Sequence, residues 1–188
     1  MFSKPTDTIT CSKNLPQIGK AFQLASKNLS ANYKHFDILY VNAMGHDSHL
    51  TLEDETFGDI TFELFYGNNI GKIGANTFKK AAQKIKFLLC LWCALEFQPP
   101  KYDLQNALNQ MTELRLLIIG LNVNEIPTDF IKPIDGQQSK LIKLQINSLK
   151  ELTIKSRAFQ NLNEILVIGI SHSTINLIEK EAFKSATI

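Results

Sequence analysis

The 188-residue chain carries 20 Lys+Arg against 18 Asp+Glu, a formal net charge of +2. So even a balance creates no field that favours nucleic acid or an anionic membrane. The longest apolar run, Phe87–Leu95, is about half the roughly 18 residues of a membrane span.

Residues 1–35 read as an N-terminal cap or lead-in, in which Phe22, Leu24 and Leu29 are placed to cover an open edge. The opening MFSKPTDTITCSK lacks the apolar core of a signal peptide, so the chain is expected to be a mature form or a piece of a longer one. Asn28-Leu29-Ser30 is an Asn-x-Ser/Thr sequon, which makes Asn28 a glycosylation candidate.

From residue 36 to 188 one pattern, apolar-x-x-apolar-x-apolar, recurs six times. The copies are Phe36/Leu39/Val41, Ile60/Glu63/Phe65, Ile85/Leu88/Cys90, Leu114/Leu117/Ile119, Leu141/Leu144/Ile146 and Ile165/Ile168/Ile170. Their starts lie 24 to 29 residues apart, and with Cys counted as apolar 17 of the 18 positions fit, Glu63 being the misfit. That period predicts an α/β leucine-rich repeat solenoid of about six repeats: a concave parallel sheet, with an irregular and short-helical convex side.

Two further columns follow the period. Three residues past each copy stand Met44, Asn68, Cys93, Asn122, Leu149 and Ser173, a position where a polar side chain satisfies backbone groups of the exit turn. Further on come Phe57, Phe78, Phe130, Phe159 and Phe183, with Leu104 filling the third repeat, and these are expected to stack inward. Pro99–Met111 spaces Leu104, Leu108 and Met111 as a helix does, whereas Pro127 and Pro133 predict an irregular fourth return. No polar cap follows Phe183, so the last repeat is expected to be uncapped and available for self-association.

Chemistry-bearing motifs are sparse. Cys90-x-x-Cys93 invites redox or zinc readings, but zinc needs two more ligands. The repeat places Cys90 inward and Cys93 in the turn column, which predicts free thiols. Gly45-His46-Asp47-Ser48-His49 is a polar loop without a third metal ligand at fixed spacing or a nucleophile elbow. No catalytic residue, metal site or cofactor is assigned.

The residues between the inward positions are expected on the concave face: Ile38 and Tyr40; Phe62, Leu64 and Tyr66; Phe87, Leu89, Leu91 and Trp92; Leu116, Ile118 and Leu121; Lys143 and Gln145; Val167 and Gly169. Sheets usually keep a solvent face polar, so the apolar middle repeats mark a contact surface. The partner-binding candidates are Tyr40, Tyr66, Phe87, Leu89, Leu91, Trp92, Leu116, Ile118 and Leu121.

The stretches FGDITFELFYGNNIGKIGANTF (57–78), LRLLIIGLNVNEIP (114–127) and AFQNLNEILVIGISHSTINLIEKEAF (158–183) resemble arthropod extracellular leucine-rich repeat proteins. They are similar in particular to the group related to the non-catalytic subunit of oplophorus-luciferin monooxygenase, as is ITCSK near the start. The resemblance spans about residues 9–183. It implies a secreted, non-catalytic accessory subunit that binds a protein partner, and it carries no catalytic residue. A carrier of a lipophilic small molecule on the same apolar face is the alternative.

Overall fold

The computed structural model describes residues 8–12, 34–42, 49–97, 103–132, 139–148, 150–160 and 162–184. The sequence expectations at Asn28, Met44, His46, Asp47, Ser48 and Leu149 lie outside these residues. The described chain is a parallel β-solenoid of about five turns. Each turn adds a long strand to one sheet, and most add a short strand on the return path.

The main sheet has seven strands: β1 (Thr8–Ser12), β2 (His35–Asn42), β4 (Thr61–Asn68), β6 (Phe87–Leu95), β7 (Leu116–Leu121), β9 (Lys143–Ser148) and β11 (Val167–Ser171), side by side in that order. All neighbours pair in parallel, as strands must when each connection is a full coil. Strand β1 lies inside the segment read as a lead-in, with Ile9 and Cys11 in register with Leu39 and Val41.

The return path differs from the expected irregular and helical convex side. It carries β3 (Leu50–Leu52) paired with β5 (Ile70–Ile73), and β8 (Glu125–Ile126), β10 (Leu152–Ile154) and β12 (Ile175–Ile178) in a second small sheet. Short apolar alternations such as Leu50-x-Leu52 and Leu152-x-Ile154 cause this, because they bury one face of an extended segment. Among the described residues α1 (Asp103–Asn109) is the one α-helix, at the predicted place. Its amides tie it to the next coil. Gln105 donates to the Thr128 and Asp129 carbonyls, and Asn109 donates to Asp129 while accepting from the Lys132 N–H.

Inward positions of β2, β4, β6, β7 and β9 are sealed: Leu39, Phe65, Leu88, Leu117 and Leu144 are wholly buried. The second repeat is set two residues later than the sequence pattern suggested. Phe36 pairs with Phe62, and Leu39 with Phe65, so the inward trio is Phe62/Phe65/Gly67 rather than Ile60/Glu63/Phe65. Phe62 is therefore buried, not on the outer face. Glu63 points outward and meets Lys86 at 2.9 Å. Glycine suits the third position because its missing side chain is already replaced: a Cβ there would fall 2.5 Å from Ile70 Cδ1 and 2.8 Å from Phe65 Cε1.

Aromatic stacking runs along the return side as expected. Phe57 stacks on Phe78 at 5.6 Å, Phe130 meets Phe159 edge-on at 6.3 Å, and Phe159 stacks on Phe183 at 5.2 Å. Leu104 is buried as expected, and Phe97, a ring outside the expected column, stacks on Phe130 at 5.4 Å. Ahead of these rings Glu55, Asp129, Arg157 and Glu181 adopt left-handed backbone. Their peptide groups hydrogen-bond from coil to coil, Asp129 N–H to the Arg157 carbonyl and Arg157 N–H to the Glu181 carbonyl, each at 3.0 Å.

The turn column is not a continuous polar ladder. Ser173 donates to the Lys150 carbonyl at 3.0 Å, but Asn122 turns to the Glu96 carboxylate at 2.6 Å. Asn68 Oδ1 is buried with no hydrogen-bond partner. Coil-to-coil backbone bonds serve exits directly, for instance Asn122 N–H to the Leu95 carbonyl at 2.9 Å.

Truncating Phe159, wholly buried between two rings, to Ala is expected to cost about 3–5 kcal/mol. Urea unfolding measures this, and the loss should lower protection in both adjacent coils, since a solenoid's repeats depend on their neighbours.

Candidate partner-binding face

Strand alternation decides which side chains leave the core. In β7, Leu117, Ile119 and Leu121 share the inward parity, and all are buried. Leu121, 1% exposed and opposite Leu95, is therefore a core residue and not part of a binding face.

The remaining candidates lie together on the outward face. Register aligns Ile38, Leu64, Phe87 and Leu116 in one row across four strands, and Tyr40, Tyr66, Leu89 and Ile118 in the next. All eight are half-exposed. Tyr40 and Tyr66 pack ring to ring at 5.0 Å. At β9 the rows end in Lys143 and Gln145.

Polar rows frame this band. On one side are Glu63 and Lys86, exposed Arg115, and Glu113 bonded to Lys140 at 2.6 Å. That bond is the main reason the Glu113 carboxyl sits below the ordinary carboxylate range, with Arg115 and Lys86 adding to it. On the other side Asn147 Oδ1 accepts from Ser171 Oγ at 2.6 Å and from Gln145 Nε2 at 3.3 Å.

One irregularity raises a side chain above the band. Cys90 faces Ile119 and Leu95 faces Leu121, so residues 91–94 of β6 stand against Gly120 alone. Within this bulge Cys90 and Cys93 form a disulfide, which corrects the expectation of free thiols. A flat strand would hold residues three apart at roughly 10 Å, beyond bridging range. The bulge folds them to a Cα separation of 5.4 Å, inside the range a disulfide spans. The sequence pattern placed Cys93 on a separate exit turn and so overlooked this fold-back.

Glycines make room on both flanks. Any Cβ on Gly120 would collide with the Cys93 carbonyl, and one on Gly67 would lie 3.1 Å from Cys90 Sγ. The result is a short loop, Cys90-Leu91-Trp92-Cys93, whose bridge is buried while Trp92 stands 76% exposed. Leu91 is half-exposed beside it.

Among the described residues no group of three or more His, Cys, Asp or Glu could hold a metal ion, and no helix is long and apolar enough to cross a membrane. Described His49 bonds Asn69 Oδ1 at 2.7 Å. His172 is exposed, with left-handed backbone at the exit of β11. No family model matches the chain, and no curated protein or solved structure matches it.

Two measurements check the bulge. Denatured without reductant, the Cys90–Cys93 pair should contribute no titratable thiol, and reductant should add two. Gly120→Ala should destabilise the protein by about 1–3 kcal/mol in urea unfolding, because the Cys93 backbone has little freedom to retreat.

Proposed function

We propose that the chain is a non-catalytic interaction module of a leucine-rich-repeat kind, which binds a partner protein through the outward face of the main sheet. The observation that carries this is the two-row apolar band on β2, β4, β6 and β7, with Trp92 exposed at its margin. A solvated sheet face is usually polar, and contiguous apolar patches with aromatic members are where protein partners anchor. The fitting partner offers apolar side chains to the band and an acidic group toward its β7–β9 end, where Arg115 and Lys143 stand.

The reading extends to a secreted accessory subunit, as the resemblance to arthropod extracellular repeat proteins implies. A disulfide at Cys90–Cys93 supports an oxidising compartment. The carrier reading has less support, because an open sheet face does not enclose a small ligand. A groove of about 310 Å³ on the return side is lined by Asn124, Lys150, Glu151, Thr153 and Asn176, which suits water better than a lipophile.

Leu89→Lys combined with Ile118→Lys places two charges in the band at half-exposed positions. Binding of a partner captured from native secretions should be abolished, while circular dichroism stays unchanged. Trp92, the chain's single Trp, should change fluorescence when the wild-type chain binds. A double variant that captures the same partner equally well overturns the reading, as does one that unfolds.

A further inference from the structure

The bridge beneath Trp92 is not explained by the solenoid. Both its cysteines lie in β6, so it ties no coil to another. It closes a loop of four residues, and so short a loop removes little disorder from the unfolded chain. The strand is held on either side of the bulge without it: Phe87 to Cys90 pair with β4 and β7, and Leu95 pairs with Leu121. Within the bulge the support is one-sided. Trp92 stands in register with Asn68 of β4, whereas on the β7 side residues 91–94 meet Gly120 alone. The site also accommodates an open form. Cys93 Sγ lies 3.7 Å from the Gly67 carbonyl, so a thiol there has an acceptor in place. Cys90, wholly buried in the apolar core, packs as a small hydrophobe in either state.

We propose that the Cys90–Cys93 bridge is a redox latch that sets the mobility of Trp92 on the outward face; its bearing on partner binding rests on the function proposed above. Closed, the bridge fixes the two ends of the loop against each other, and the indole is presented in one place. Opened, the loop keeps only its backbone contacts with Gly120 and Asn68, and Trp92 gains freedom that a partner must remove on binding. A dithiol reductant opens it. One thiolate attacks Cys93, which is 8% exposed where Cys90 is wholly buried, and the electron pair of the Sγ–Sγ bond goes to Cys90. The reductant's second thiolate then displaces Cys93 from the mixed disulfide. The reductant leaves as a disulfide, and its two thiol protons are balanced by those that Cys90 and Cys93 take up. Closure is the reverse, with a disulfide oxidant accepting the two electrons and two protons, as an oxidising compartment supplies.

Fluorescence anisotropy of Trp92, the chain's single Trp, tests the latch in the full chain with no partner present. Dithiothreitol should lower the anisotropy while far-ultraviolet circular dichroism is unchanged. Cys90→Ala combined with Cys93→Ser should start at the low value and not respond to dithiothreitol, which separates the bridge from Cys11. A second arm uses the protein that the wild type captures and the Leu89→Lys/Ile118→Lys variant loses. Reduction should weaken its binding roughly 2- to 12-fold, the cost of ordering one side chain. If no such protein is captured the proposed function fails, while the anisotropy still decides the latch. Anisotropy that reduction leaves unchanged overturns the proposal, and so does equal affinity in both states. Unfolding on reduction also overturns it, because the bridge is then a structural staple.

Discussion

Coil-on-coil burial is the constraint from which the rest of this structure follows. No single coil encloses a core, since its inward row is covered only by the coils on either side. Leu144 and Ile146 are wholly buried under β11, whereas Ile168 and Ile170, one coil further, are half-exposed. Parallel backbone ladders fix the separation of the coils, and the Phe contacts fill the return side at that spacing. Stability is then a sum of nearest-neighbour terms, so a defect in one ring is felt in adjacent coils.

That same repeat sets where variation is tolerated. The inward rows are fixed by burial, and the return path by the need to bring each coil back one strand later. The outward face carries neither demand, so its apolar content in β2, β4, β6 and β7 is not explained by folding. Polar substitutes exist on the same sheet: Lys143 and Gln145 occupy equivalent positions on β9 without disturbing the register. An apolar band that the fold does not require is the ground on which the partner contact is proposed.

The bulge in β6 connects scaffold and surface. Four residues facing one break the strand's alternation, and bulges of this kind re-aim side chains. Here the glycines at 67 and 120 accept the displaced backbone, and a buried bridge closes the loop beneath Trp92. An indole held on a short closed loop loses less conformational freedom on binding than one on an open turn.

The sequence alone determined the solenoid, the strand positions of five of the six repeats, the short helix and the inward Phe column, because burial in every coil imposes a period that composition cannot hide. It also made the outward apolar band legible, through simple alternation. Tertiary structure decided what that pattern does not encode. Gly67 holds an inward position because Ile70 and Phe65 fill its space, which hid the true start of the second repeat at Phe62. Phe97 enters the ring column from outside the periodic position. The extended returns were missed because runs of two to four residues are too short to show a period. The Cys90–Cys93 pairing depends on a bulge that exists only once Gly120 lies against Cys93. Spacing along a chain reports which residues want burial, and only the packed coils settle which neighbour supplies it.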